Sequence, residues 1–150
     1  MAGIVVGMDR SAHAVDALRF AIEEARYRGC GLTAVEVWEV PYLAEDIGEA
    51  ALALDEAAHR RAEQELREQV EKALDGKPVP PGLQVETRAG NPSEVLIQLG
   101  QAADLLVLGA RGRGGFRHLL TGSVATQVIH HAPCPVVVVP GRRGPAATGE

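Results

Sequence analysis

The sequence predicts an α/β fold: a five-stranded, parallel, doubly wound sheet with helices on both faces. Three observations carry this. Short apolar runs recur at Ile4-Val5-Val6, Leu105-Leu106-Val107-Leu108 and Val136-Val137-Val138-Val139. Continuous apolar runs of this length mark strands covered on both sides, the habit of parallel sheets. Segments with apolar residues at helical spacing lie between the strands, giving the order β-α-β-α-β-α-β-α-β. A chain of 150 residues without internal repeats is most simply one domain, here 1–140, with 141–150 as a small polar tail expected to be disordered.

The first strand ends at Gly7-Met8-Asp9-Arg10-Ser11. Asp9 therefore falls at the carboxyl end of a parallel strand, where open α/β sheets place their ligands. Ser11 reads as the N-cap of the first helix. Val15, Leu18, Ala21, Ile22 and Ala25 form that helix's apolar face, and Gly29 and Gly31 end it. Leu32 to Val40 alternates and is rich in β-formers, so it is strand two, stopped by Pro41. Residues 42–50 are a connection. From about Leu52 to Leu74 the chain reads as a long amphipathic helix with Ala58, Ala62, Leu66, Val70 and Ala73 on one face. Its many charges read as a solvated face with i,i+4 pairs.

Gly76 to Gly82 holds three prolines and is a loop. Leu83 to Thr87 is a strand. Asn91-Pro92-Ser93-Glu94 is a helix-start signature, with Asn91 as cap and Pro92 in the first turn. Val95, Leu96, Leu99 and Ala102 give the following helix its buried face. Leu105 to Leu108 is strand four. Pro133 ends the last helix, and the fifth strand lies between Pro135 and Pro140.

Composition narrows the function. Aromatic residues make up 3% of the chain, too few for a platform that stacks single-stranded nucleic acid. The formal net charge of −5 disfavours a general nucleic-acid binder. Yet no Asp or Glu occurs between Asp104 and Glu150, an interval whose charges are Arg111, Arg113, Arg117, Arg142 and Arg143. A locally basic segment in an acidic protein fits a small anionic ligand. Cys30 and Cys134 belong to no CxxC pair and read as small buried hydrophobes in a reducing cytoplasm. No signal-peptide pattern opens the chain, and no apolar stretch approaches a membrane span. The expected location is cytoplasmic, without membrane.

The stretch from Leu105 to His131 is the candidate anion site. A strand leads into the glycine-rich turn Gly109-Ala110-Arg111-Gly112-Arg113-Gly114-Gly115, and Thr121-Gly122-Ser123-Val124 opens a helix. Glycines permit close backbone approach, and a helix start offers unpaired N–H donors with roughly half a positive charge. GxxxxGK[ST], GxGxxG after the first strand, and HxGH are all absent. The Gly112 turn and the Gly122 helix start would supply N–H donors for phosphate. Ser123 could add a hydroxyl to a phosphate or a metal, but no ligand cluster specifies a divalent cation. Two plainer readings stand beside these: the loop as a bare connection, and Asp9 as a helix cap. His130 and His131 face apart on a helix and cannot easily chelate together. His13, His59 and His118 have no partner at a recognised spacing and receive no catalytic role, although His118 in the loop could touch phosphate.

The spacing Gly109-x2-Gly112-x9-Gly122-Ser123 resembles the ATP-binding motif of the universal stress protein family. The resemblance spans nearly the whole chain. It includes Ile4 to Ser11, the Gly90-Asn91-Pro92 turn, Ala103 to Gly109, and Pro133-Cys134-Pro135. It implies a Rossmann-like sheet of order 3-2-1-4-5 with ATP across the carboxyl ends of strands one and four. Asp9 matches the family's ribose or adenine contact, and Val37 the residue packing on adenine. Gly109, Arg111, Gly112, Gly122, Ser123 and Val124 match its phosphate and ribose loop. For such a ligand Val5, Val37 and Leu108 would supply an apolar slot for adenine and Asp9 an acceptor for ribose, so the candidate nucleotide site comprises Gly7, Met8, Asp9, Val37, Leu108, Gly109, Arg111, Gly112, Arg113, Gly122, Ser123 and Val124. Mg2+ or Mn2+ could accompany ATP, with Ser123 or Asp9 reaching it through phosphate or water.

The resemblance also implies a homodimer through strand 136–139, and an ATP-dependent regulator of a stress response. The alternatives are a slow ATPase or phosphotransferase, and a nucleotide-independent structural or chaperone-like dimer. The chain departs from the family pattern in two places. Arg10 stands where a glycine is frequent, as a cation that steers phosphate or points to solvent. Trp38 follows Val37, lining the pocket or capping the sheet.

Overall fold

The computed structural model describes residues 3–39, 49–110 and 122–141, with backbone alone over 49–55. The elements are β1 (Ile4–Met8), α1 (Ala12–Arg28), β2 (Leu32–Trp38), α2 (Glu49–Leu74), β3 (Leu83–Ala89), α3 (Pro92–Gly100), β4 (Leu105–Gly109), α4 (Ser123–His131) and β5 (Val136–Val139). All five strands are parallel, in the order β3-β2-β1-β4-β5. This is the expected architecture. The chain order reverses between β1 and β4, so those two strands diverge into separate connections at their carboxyl ends, the place for a ligand in such sheets.

The period-two alternation of the strands divides the core. Ile4, Val6, Met8, Leu32, Ala34, Leu105 and Val107 pack with α1 and α2. Leu106 and Leu108 turn the other way and pack with Leu96, Ala125 and Val128 of α3 and α4. β4 is therefore buried on both faces, as its apolar run predicts. β1 is not: Val5 and Gly7 are half-buried. The sheet is less completely covered on its α3/α4 face at β1.

Local signals set the helix ends. Ser11 caps α1 by accepting from the Ala14 amide, and Gly29 closes it with a left-handed φ of 64°. Asn91 caps α3 by accepting from the Glu94 amide, with Pro92 in the first turn. The strand ends differ from expectation. β1 runs on through Gly7 and Met8, and β3 runs to Ala89. β2 stops at Trp38 because its partner stops there: Trp38 pairs with Ala89, and Gly90, at φ 141°, turns the chain away while its amide donates to the Trp38 carbonyl at 3.0 Å. The expectation of strand at Val40, the connection at 42–48 and the disordered tail from 142 lie outside the described residues. Among the described residues no helix is long and apolar enough to cross a membrane.

Candidate functional site

Asp9 is the first residue beyond β1. Its Oδ1 accepts from the Ser11 amide at 2.8 Å and from the Ser11 hydroxyl. Ser11 Oγ in turn accepts from the Ala14 amide at 3.1 Å. One hydroxyl thus caps α1 and orients the carboxylate. The cap is Ser11, so the reading of Asp9 as the helix cap does not hold.

The same turn is gripped from α2. Gln69 Nε2 donates to the Asp9 carbonyl, and Arg10 Nε lies 2.5 Å from Glu65 Oε2. Arg10 is therefore paired with α2 while its side chain stays 43% exposed. Trp38 packs edge-on against His59, with ring centroids 6.3 Å apart, and His59 Nδ1 lies 3.1 Å from Thr87 Oγ1. Trp38 thus contacts a residue of α2, on the side of the sheet away from Val37.

Val5, Gly7 and Val37 share the α3/α4 side of the sheet by strand alternation, with Gly7 paired to Val35 in register. Leu108 joins them there but is 4% exposed, tucked under Leu96, so it can serve a base only as a floor. A Cβ at Gly7 would lie 2.6 Å from Leu108 Cδ2 and 3.0 Å from Leu96 Cδ1. The absent side chain at Gly7 is what admits those leucines. Met8 points the opposite way into the α1/α2 core, at 5% exposure, and can offer a ligand only its backbone.

Gly109 faces α1. A Cβ there would meet His13 Cβ at 2.9 Å and the His13 backbone carbon and oxygen at 3.0 Å. Its glycine answers to helix packing. Beyond it, the Ala110 amide donates to the Val139 carbonyl at 2.9 Å, and the Gly122 amide donates to the Ala110 carbonyl at 2.6 Å. The Gly122 amide is thus engaged within the protein, and the rest of the helix start lies beyond it. The Gly122 carbonyl is likewise engaged, accepting from the Thr126 amide at 3.0 Å and hydroxyl at 2.9 Å.

Among the described residues no side chain closes the helix start. Gly122 caps α4 without a side-chain hydrogen bond, and its first turn holds no acidic residue. The first N–H groups of a helix have no intrahelical acceptor, and here they include those of Ser123 and Val124. Ser123 is exposed and Val124 half-buried. Arg111, Gly112 and Arg113 lie outside the described residues. Among the described residues no three His, Cys, Asp or Glu side chains converge on a metal position.

His13, Glu65 and Gln69 carry no signal in the sequence. Each acts on a residue brought near only by the fold.

The sequence model of the Universal stress protein family matches residues 2–140. The chain belongs to that family. A universal stress protein of Thermus aquaticus is 38% identical over 141 residues, covering 91% of this chain and 96% of its own. One from Mycobacterium tuberculosis is 35% identical over 138 residues, but the match spans 45% of that protein, so the chain is about half the length of such mycobacterial relatives. Among solved structures, UspA of Lactobacillus plantarum is 27% identical at a TM-score of 0.68, covering 92% of this chain and 97% of that one. A universal stress protein in complex with cAMP is 24% identical at a TM-score of 0.70, covering 94% and 98%. A universal stress protein of Archaeoglobus fulgidus in complex with dAMP is 23% identical at a TM-score of 0.55, covering 93% and 98%. The last two speak to the fold of this chain; their ligands are their own.

Proposed function

We propose that this universal stress protein binds an adenine nucleotide, ATP first, across the carboxyl ends of β1 and β4, and acts as a nucleotide-responsive regulator rather than a catalyst. The observation that carries the reading is a pair of features at the ends of adjacent strands. Beside β1 stands a carboxylate oriented by Ser11. After β4 comes a helix start with no side-chain cap and no acid in its first turn. The first suits ribose hydroxyls and the second suits phosphates. Val5, Val37 and the Leu108 floor suit the base. Arg111, Gly112 and Arg113 would surround the phosphates from the loop, with Ser123 and Val124 donating from the helix.

A divalent cation, Mg2+ or Mn2+, would arrive with the nucleotide. Asp9 and Ser123 alone make a thin ligand set, so the phosphates themselves would supply most of its oxygens. The two cysteines are free thiols, which suits a reducing cytoplasm.

The partner in this reading is a second copy of the chain. Val136 to Val139 are all half-buried on the strand at the β5 edge of the described sheet, and an apolar edge invites pairing. A nucleotide-independent dimer is the second reading, favoured by the engagement of the Gly122 amide with Ala110. Titration calorimetry with ATP, with and without magnesium, tests the first. Saturable binding is expected; no heat in either buffer overturns it. Gly122→Leu should abolish that binding while leaving the dimer intact. ATP recovered whole after hours with the protein supports a regulator, and steady release of phosphate supports an ATPase.

A further inference from the structure

We infer that Gln69 and Glu65 of α2 are positioning residues for the ribose end of the nucleotide, holding the Asp9–Arg10 turn in place from outside the site. The inference rests on the nucleotide reading above and names what governs one half of that site. β1 pairs with β2 only as far as Met8 opposite Glu36. Asp9 is the next residue and has left the ladder. The Asp9–Ser11 bonds tie the carboxylate to the start of α1, and neither of them engages the Asp9 carbonyl or Arg10.

Those groups are held from α2. Gln69 Nε2 donates to the Asp9 carbonyl, and Glu65 pairs with Arg10. Residues 65 and 69 stand one helical turn apart on one face, so they act as two prongs of a single grip. The grip is anchored: Leu66, at 0% exposure, and Val70, at 7%, set the same stretch of α2 into the core. Gln69 also keeps its Oε1 buried without a partner among the described residues. Leaving a buried acceptor unmet costs free energy, and a glutamine serving only to face water would turn that oxygen outward. The Asp9 contact is what the amide orientation secures.

Two supports therefore hold the two ends of the site. α4 offers the phosphate donors, and α2 holds the ribose acceptor. A lesion in the α2 grip should be felt by a ligand's ribose hydroxyls and not by its phosphates.

The test compares ATP with 2′,3′-dideoxy-ATP by calorimetry on the full chain. One well-placed hydrogen bond to a charged acceptor corresponds to about a tenfold preference for ATP in the wild type. Gln69→Leu should reduce that preference to below about threefold while dideoxy-ATP binds within about twofold of wild type. Glu65→Gln, which keeps length and helix propensity, should move the ratio the same way, with unfolding by circular dichroism checking that each variant folds. A wild-type ratio in both variants overturns the inference, as does an equal loss for both ligands. A wild type that binds both ligands equally removes the ribose role of Asp9, and the inference with it, but leaves nucleotide binding standing. A wild type that binds neither removes the nucleotide reading itself.

Discussion

The imidazole of His13 occupies the space that a side chain at Gly141 would need: a Cβ there would lie 2.7 Å from His13 Cε1 and 2.8 Å from Nδ1. The same histidine presses its backbone on Gly109. One residue of the first turn of α1 thus fills two glycine vacancies, at the end of β4 and just past β5. Its Nδ1 is buried there without a partner among the described residues.

Gly109→Ala and Gly141→Ala should behave differently because different atoms stand in the way. At Gly141 the obstacle is the ring alone, so alanine should cost roughly 1 kcal/mol, and His13→Ala should relieve most of it. At Gly109 the obstacle includes the His13 backbone, so alanine should cost about 2 kcal/mol or more on either background. Urea unfolding of the four single and double variants measures both couplings.

Ser123→Asp should separate stability from binding. A carboxylate in the first turn of α4 complements the helix dipole and should leave stability unchanged or raise it by about 0.3–1 kcal/mol. The same charge opposes a bound phosphate, so ATP affinity should fall by about tenfold or more. Thermal unfolding and calorimetry on one preparation check both. Undiminished ATP binding would place the phosphates elsewhere.

Cys134 should label slowly. Burial pushes its thiol above the usual range, outweighing a hydrogen bond from the Leu106 backbone that pulls the other way. The thiolate is the reactive form, so at a given pH less of it is present than in an ordinary thiol. Labelling by iodoacetamide, followed residue by residue by mass spectrometry, should be slower at Cys134 than in the urea-unfolded chain. It should accelerate as pH rises toward the shifted value. Equal rates for folded and unfolded chain at neutral pH would contradict the shift.

Val138→Pro should break the proposed dimer and spare the monomer. Leu106 donates to the Pro135 carbonyl and Ala110 to that of Val139, so odd-numbered residues of β5 address β4. Val136 and Val138 address the open side. A proline at 138 removes an outward N–H, which edge strands tolerate. Sedimentation velocity should show monomer with an unaltered circular dichroism spectrum. A persisting dimer would move the interface to another surface.

Much of this fold is written locally. The Ile4, Leu105 and Val136 runs, the Ser11 cap and the Asn91-Pro92 start depend on neighbours in sequence, and each stands in the structure where the pattern put it. Strand ends were less legible, because β2 stops where β3 stops and not at Pro41. At the candidate site, the place of Asp9 just past β1 and the start of α4 after Gly122 could be read from residue type and position. The reasons for two glycines could not. Gly7 yields to Leu108 and Leu96, and Gly109 yields to His13, partners far along the chain. Nor does Arg10 announce Glu65, since that pairing depends on how α2 crosses the first turn.

The Gly122–Ala110 hydrogen bond has a bearing on how such a protein can change over evolutionary time. It brings the two ends of the 111–121 segment to within 2.6 Å on atoms that belong to the framework. A segment whose ends already meet can gain or lose residues at a small and slowly growing entropic cost. That span is then an exchangeable cassette: its length and charge can drift while the β-scaffold keeps its register.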